Sequence, residues 1–404
     1  MAADRIVVTA TGIVSALGRG SVAQVDALRN SRSGLRYPQL LQTVYANEFL
    51  IGEVTLSNDE LKQKLGLSQD TEGYTRTTLL AMLAVRDLID DAATDLLHDE
   101  PVAFINANTV GGMCEVEHLY PQFKEPGLTG SFTKYIDTLD CAESTERITR
   151  HFGLKAFMAT ISTACSSSGN SLILGARMIR QGLVKRAICG GCDALSRFTL
   201  NGFHSLKNVD KSPCMPFDQH RFGLNLGEGA GYLMLEKESD ALVRNATILA
   251  VFSGYSNTND AYHPTAPSPD GAGAFRTMTH ALKMADLHPG NIGYINAHGT
   301  ATISNDAAEG KAIQDIWNGR PPAFSSTKPF TGHTLAAAGA IEAIFSILVM
   351  NHSFIPANLN FSTPMEELTI RPVVAMMNQQ PVDHVISNSF GFGGNNVSLV
   401  FSRP

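Results

Sequence analysis

What this chain lacks narrows its function before any motif is considered. It has no basic excess: Lys and Arg total 31 against 38 Asp and Glu, a formal charge of −7. That balance, with no local Lys/Arg cluster, argues against nucleic acid as a main partner. No apolar run reaches the roughly 18–20 residues that a bilayer-spanning helix requires, so no membrane insertion is expected. The opening "MAADRIVVTATGIVSALG" carries Asp4 ahead of its apolar run and reads as a strand and turn, not a signal peptide. Cysteine is scarce, 6 in 404 residues. Without a secretory signal, free thiols are expected over a disulfide framework, and a cytoplasmic enzyme is the default. No tandem period, low-complexity tract or charge-block linker separates the halves.

What is there suits a large core. The chain is 44% hydrophobic and 17% charged, and its length fits two domains or one large duplicated one. Strands and helices alternate with glycine turns, hence an α/β class. "RIVVTA" reads as a first buried strand and "TTLLAMLAVRDLIDDA" (77–92) as a helix. Leu172, Ala176, Ile179 and Leu183 share one helical face. "KRAICGG" (185–191) reads as the next strand. A second series starts near "ATILAVFSGYS" (246–256) and runs through "AGAFRTMTHALKMA", "IGYINAHG" and "AAAGAIEAIFSILVMNH" (336–352) to "HVISNSFGFGGNNVSLVF", two strands around a glycine-rich turn. The stretch 195–230, with Pro213 and Pro216, reads as a long ordered loop.

Chemistry first surfaces at Cys165 in "TISTACSSSGNSLILGARMI", where an apolar stretch gives way to small residues and then a helix. A buried structural thiol is the plain alternative. Against it, a helix N-terminus offers unpaired N–H groups and a dipole that favour a thiolate, and Ala164, Ser166, Ser167, Ser168 and Gly169 leave access. The other cysteines lack this setting. "CGGC" (Cys189, Cys192) invites a redox or metal reading, but no second pair stands at zinc-ligand spacing.

A cysteine nucleophile needs partners. His298 in "YINAHGTATISND" ends an apolar strand, where open α/β sheets place their sites. His333 in "SSTKPFTGHTLAAAGAIEA" sits in a turn before a small-residue helix. Each alone reads as a hydrogen-bonded loop residue; with Cys165 they make a constellation that only the fold can assemble.

At these residues the chain resembles the elongating β-ketoacyl-acyl-carrier-protein synthases of the thiolase-like superfamily. Six ordered motifs carry the resemblance across nearly the whole chain: "STACSSS", "PFDQHRFGLNLGEGAG", "DAYHPTAPSPDG", "NAHGTAT", "STKPFTGH" and "SNSFGFGGNN". It implies a duplicated, five-layered α/β/α/β/α fold, with residues 1–243 carrying the cysteine and 244–404 both histidines. It also implies an obligate dimer built by pairing central strands across a two-fold axis.

The implied reaction is decarboxylative condensation. Cys165 takes an acyl chain from a phosphopantetheine thioester, with the backbone N–H groups of Cys165 and Phe392 as oxyanion donors. His298 and His333, neutral and donating Nε2–H, stabilise the enolate left when malonyl-acyl-carrier protein loses carbon dioxide. Lys328 supports the histidine turn through a carboxylate, with Asp306, Glu309 and Glu342 as candidates, although a lysine there also fits a plain surface charge. Thr300 and Thr302 match pantetheine-binding threonines. Phe390 and Phe392 match the gating loop, with core packing the competing reading for Phe390. No cofactor and no metal are implied beyond the carrier-borne pantetheine; the partners are acyl-carrier protein and either a second copy or a chain-length-factor-like subunit.

Three departures stand out. "RFG" (221–223) replaces Arg-Asp-Gly, so a loop salt bridge is expected to be lost; "KPFTGH" holds Pro329 and Phe330; and "TLDCAESTERITRHFGLKAF" differs where the dimer-side acyl pocket is shaped. The variant style resembles ketosynthases of aryl polyene or flexirubin pigment clusters, with a housekeeping fatty-acid enzyme as runner-up. A non-catalytic chain-length-factor-like subunit is the alternative from another class, disfavoured because Cys165, His298 and His333 are all retained. A thiolase needs a second cysteine near the C-terminus, and "SNSFGFGGNN" has none.

Overall fold

A computed structural model describes residues 4–69, 71–92, 102–120 and 133–404. Their 11-stranded sheet comprises β1 (Ile6–Ser15), β2 (Val102–Ala107), β3 (Ala156–Ile161), β4 (Arg186–Asp193), β5 (Gly229–Lys237), β6 (Ala250–Asn259), β7 (Tyr294–Asn296), β8 (Ala323–Ser325), β9 (His384–Gly391) and β10 (Asn395–Ser402), plus the short Gly18–Arg19 beside β1. The helices that matter below are α1 (Arg76–Ala92), α2 (Cys141–His151), α3 (Ser167–Arg180), α4 (Arg197–Ser205), α5 (Ala272–Met284), α6 (Ile303–Ile316) and α7 (Ala338–His352).

Strand order exposes a duplication. It reads β3-β2-β4-β5-β1-β6-β10-β9-β7-β8, so each half, from the centre outward, places its first strand, then its fifth, fourth, second and third. Directions repeat too. The two inner pairs of each half are antiparallel and the two outer pairs parallel. The halves meet where β1 pairs with β6 through Val7–Val251 and Val8–Ala250.

Three large apolar cores lie among the five layers. Helix α1 packs on β1 and β5 on one outer side; α5 and α6 cover the second half on the other. Between them α3 and α7 touch each other and fill the central core against strands of both halves. Strands covered on both faces need near-continuous apolar runs, and β1 is buried almost throughout. The segment Leu335–His352 is long and apolar enough to cross a membrane, with mean hydropathy 1.5, contrary to the sequence expectation. It is 89% buried inside the protein, as a core helix.

Two other expectations are corrected. The supposed loop 195–230 contains α4, started by a Ser196 cap whose hydroxyl accepts from Thr199 N–H. Asn201 and Gly202 inside that helix are poor helix formers, which hid it. A dimer cannot be built from central strands, which already pair on both sides. The sheet ends at β3 and β8, and β3 exposes Phe157 and Met158.

Candidate active site

Cys165 sits one residue before the Ser166 cap of α3. Ala164 adopts φ of 53°, a left-handed strain that an L-residue keeps only when its surroundings enforce it. Here Thr163 N–H donates to Ser167 Oγ at 2.8 Å and Ser167 N–H to Ala164 O at 3.1 Å. At the same end α3 and α7 touch: a Cβ on Gly339 would lie 2.8 Å from Gly169 N, and Ala340 N–H donates to Ser168 Oγ at 2.9 Å. That approach brings the cysteine of one half to the helix following His333 in the other.

The two histidines arrive on loops past strand ends. His298 follows β7. His333 is gripped by the glycine-rich "LNLGEG" run, its N–H donating to Asn225 O at 2.7 Å and its O accepting from Gly227 N–H at 2.9 Å. Cys165, His298 and His333 are all buried, with ligand atoms within 4.8 Å of one another. The two imidazoles meet edge to face, centroids 5.4 Å apart.

Hydrogen bonding sets both tautomers. His333 Nδ1 accepts from Leu335 N–H at 3.2 Å, which leaves the proton on Nε2, a buried atom with no protein partner. Lys328 Nζ lies 3.2 Å from His298 Nδ1; a lysine donates only, so this imidazole too carries Nε2–H. Burial, helped by Lys328, holds both rings far below the usual histidine range, so both are neutral donors at physiological pH. The same protons argue against a metal between the three groups, because neither Nε2 offers a lone pair.

The thiol departs from expectation. Burial outweighs the helix N-terminus and pushes Cys165 up to about 11, opposed by Lys328 and by the N–H groups of Phe392 and Cys165 facing the sulfur. Half-exposed Cys141 also stands at about 11. Cys214 reaches about 12, and Cys189 and Cys192 are pushed further still. At neutral pH Cys165 rests as a thiol, with backbone donors already aimed at its sulfur.

Lys328 is no surface charge: it is 1% exposed. Its ammonium donates to Glu342 Oε1 at 2.6 Å and His298 O at 2.5 Å as well as to the ring, filling its three donor positions. Glu342 is therefore the lysine's carboxylate among the three candidates. Glu309 instead accepts from the N–H groups of His298 and Gly299 at 2.9 and 2.8 Å, and burial lifts it to about 7. Asp306 accepts from Phe217 N–H at 2.7 Å and Ala301 N–H at 3.2 Å, bracing the same turn. Thr300 and Thr302 share a hydrogen bond of 2.8 Å and line the cleft that ends at Cys165 and both histidines.

A second, apolar cavity of about 440 Å³ opens on the other side of Cys165, walled by Thr109, Val110, Leu335 and α4. Phe203 and Phe392 line both spaces, stacked with centroids 5.6 Å apart, and so stand between them. Phe203 escaped the sequence reading together with its helix; the Ser196 cap was the available signal. Phe390 is buried at 8% exposure against the His298 ring, satisfying core packing and the site at once. After it, Gly391 backs so closely onto the cysteine loop that a Cβ would meet Thr163 O at 3.0 Å. Arg221 keeps an ion pair, with Glu367 at 3.2 Å, so the expected loss at "RFG" is made good by another partner, while Phe222 is exposed. Phe330 is wholly buried in the central core.

This fold and this cysteine–histidine–histidine cluster define a condensing enzyme of the thiolase-like type, and comparison with known proteins agrees. Residues 3–241 match the β-ketoacyl synthase N-terminal domain and residues 249–362 its C-terminal domain. The chain belongs to the β-ketoacyl synthase family. It is 30% identical to 3-oxoacyl-[acyl-carrier-protein] synthase 2 of Staphylococcus aureus (strain COL), across 99% of this chain and 98% of that one. Among solved structures it is similar to the ishigamide ketosynthase/chain length factor, at 30% identity and TM-score 0.93 with both chains fully covered. It is also similar to the ketosynthase ApeO of Xenorhabdus doucetiae, solved with its chain length factor ApeC, at 30% identity and TM-score 0.85 over 99% of this chain and 98% of that one.

Proposed function

We propose that this chain catalyses decarboxylative Claisen condensation of an acyl thioester with malonyl-acyl-carrier protein, in fatty-acid or polyene/polyketide elongation. The observation that carries this reading is the convergence on one buried thiol of two neutral imidazoles, each locked as an Nε2–H donor. In the first half-reaction the Cys165 sulfur attacks the acyl thioester carbonyl. The oxyanion is met by the N–H groups of Cys165 and Phe392, and the thiol proton ends on the departing pantetheine sulfur. The acyl chain lies in the apolar cavity; the pantetheine lies along Thr300 and Thr302.

Malonyl-acyl-carrier protein then occupies the polar cleft. Carbon dioxide leaves as its C–C bond electrons form an enolate, whose thioester oxygen takes hydrogen bonds from His298 and His333. The enolate carbon attacks the acyl-Cys165 carbonyl, the sulfur leaves and is reprotonated from water, and the product is a β-ketoacyl chain two carbons longer. None of these steps uses a cofactor. The units are the halves 1–243 and 244–404, as the repeated strand order supports. The partners are acyl-carrier protein, which the name of the staphylococcal relative carries, and a second ketosynthase-fold subunit on the open edge of β3, whether a copy of this chain or a chain length factor like ApeO's. Retention of all three site residues favours the catalytic role over the non-catalytic one. The variant motifs of this sequence favour a pathway such as that of aryl polyene or flexirubin pigments, with fatty-acid elongation the second reading. Six free cysteines suit the cytoplasm. The test is intact-protein mass spectrometry against a panel of acyl-carrier proteins: one acyl adduct on Cys165 is expected, and none on any carrier would refute the reading.

A further inference from the structure

Asp193 ends strand β4 with its carboxylate completely buried, and the mechanism above gives it no part. Four donors meet its two oxygens. Thr109 N–H and Val110 N–H reach Oδ1 at 3.0 and 3.3 Å. The Thr109 hydroxyl and Ala336 N–H reach Oδ2 at 2.6 and 2.9 Å. None of these donors is charged. A buried carboxylate satisfied only by neutral groups is expensive to keep ionised, and burial lifts Asp193 to about 6. Such a group is kept for its geometry, not as an ion pair.

What the four donors belong to is informative. Thr109, Val110 and Leu335, the neighbour of Ala336, line the apolar cavity beside Cys165. Leu335 is itself held at φ of 52°, a left-handed conformation that an L-residue keeps only when its surroundings enforce it. Besides Ala337 N–H to Thr334 O at 3.0 Å, two side chains hold that turn in place: His333 Nδ1 accepts from Leu335 N–H at 3.2 Å, and Asp193 accepts from Ala336 N–H. The first fixes the tautomer on which the decarboxylation chemistry depends. The second is supplied by a side chain from the other half of the molecule.

Resting on the condensation reading above, we infer that Asp193 is a positioning residue: through the Leu335–Ala336 backbone it holds His333 as an Nε2–H donor, and through Thr109 and Val110 it fixes the facing wall of the acyl cavity to the same point. Removing its Oδ2 acceptor frees the turn to leave the left-handed region, Leu335 N–H withdraws from Nδ1, and the imidazole is free to present a lone pair where a donor is required.

The test uses the full-length protein and malonyl-acyl-carrier protein, following carbon dioxide release and the ¹⁵N signals of labelled histidine. Asp193→Asn keeps the shape but turns one acceptor into a donor. Its decarboxylation kcat is expected to fall at least tenfold with KM within about twofold, because malonyl binding does not pass through this carboxylate. His333 should lose its pure Nε2–H signature. Leu335→Gly separates mechanism from general damage, since glycine takes the left-handed backbone unaided; adding Asp193→Asn in that background should cost less than about threefold. A folded Asp193→Asn protein with unchanged kcat and His333 tautomer overturns the inference, as does an undiminished loss in the Leu335→Gly background. Should Asp193→Asn not fold, the unmodified protein still decides: an Nδ1–H tautomer at His333 overturns the inference. An unmodified protein that neither acylates nor decarboxylates instead refutes the condensation reading.

Discussion

Substituting Lys328 separates what holds the site together from what makes it work. Its ammonium is buried against Glu342 at 2.6 Å, side chains 1% and 5% exposed, while a third donor fixes His298 Nδ1. Lys328→Met keeps the volume but strands a carboxylate in the core, which typically costs about 3–5 kcal/mol. It also frees His298 to exchange tautomers, and losing one donor at a developing oxyanion costs on the order of 10²–10³ in rate. The double variant Lys328→Met/Glu342→Leu removes both charges, and replacing a buried pair by apolar groups of similar size is often neutral for stability. Stability is therefore expected to recover in the double variant, whereas decarboxylation is not, because nothing yet donates to Nδ1. Urea unfolding and labelled carbon dioxide release give the two readouts. If activity returns together with stability, Lys328 is only structural and the tautomer argument for His298 fails.

Other expectations follow from the same geometry. Gly393 has φ of 78°, and a Cβ there would meet nothing within 4 Å, so Gly393→Val brings backbone strain without a clash; slower acyl loading of a well-folded protein is expected in stopped-flow, and unchanged loading would leave the loop as ordinary structure. Iodoacetamide near neutral pH should label Cys165 first, at the meeting of two cavities, with half-exposed Cys141 second; peptide mapping that finds Cys189 or Cys192 labelled first contradicts the site. Glu309 stands at about 7 instead of 4.5 because burial disfavours its charge. Folding therefore takes up a proton between those values, and this group's contribution falls as pH rises through them, by at most roughly 3–4 kcal/mol. Urea unfolding at pH 5 and 8 should show Glu309→Gln losing less stability over that range than the parent protein, and parallel losses would refute the assignment.

The candidate site residues were legible because each stands at a junction where apolar periodicity breaks: Cys165 ahead of α3, His298 after β7, His333 before α7. Those breaks also located most elements to within a few residues. Burial was not legible. It reverses the expected shift at Cys165, and it turns the acid closing "CGGCD" from an unremarked strand end into a four-donor clamp. Partner choice was equally hidden: three carboxylates were equivalent candidates for Lys328 until the fold set Glu342 beside it and turned Asp306 and Glu309 to backbone N–H groups. Helix α4 was missed because its interior residues have weak propensity and packing supplies what propensity does not. Only the central-strand route to a dimer failed, and on topology, since strand order alone tells an edge from a centre.

The central claim is that the site divides its labour, a thiol with backbone donors for acyl transfer and two imidazole donors for loss of carbon dioxide. It is tested most directly by following both half-reactions in His333→Ala, with Cys165→Ala as the converse. His333→Ala is expected to acquire an acyl group on Cys165, seen as a mass shift, while carbon dioxide release from malonyl-acyl-carrier protein falls by on the order of 10²–10³. Cys165→Ala should lose the mass shift and keep measurable decarboxylation. Wild-type carbon dioxide release from His333→Ala would contradict the account.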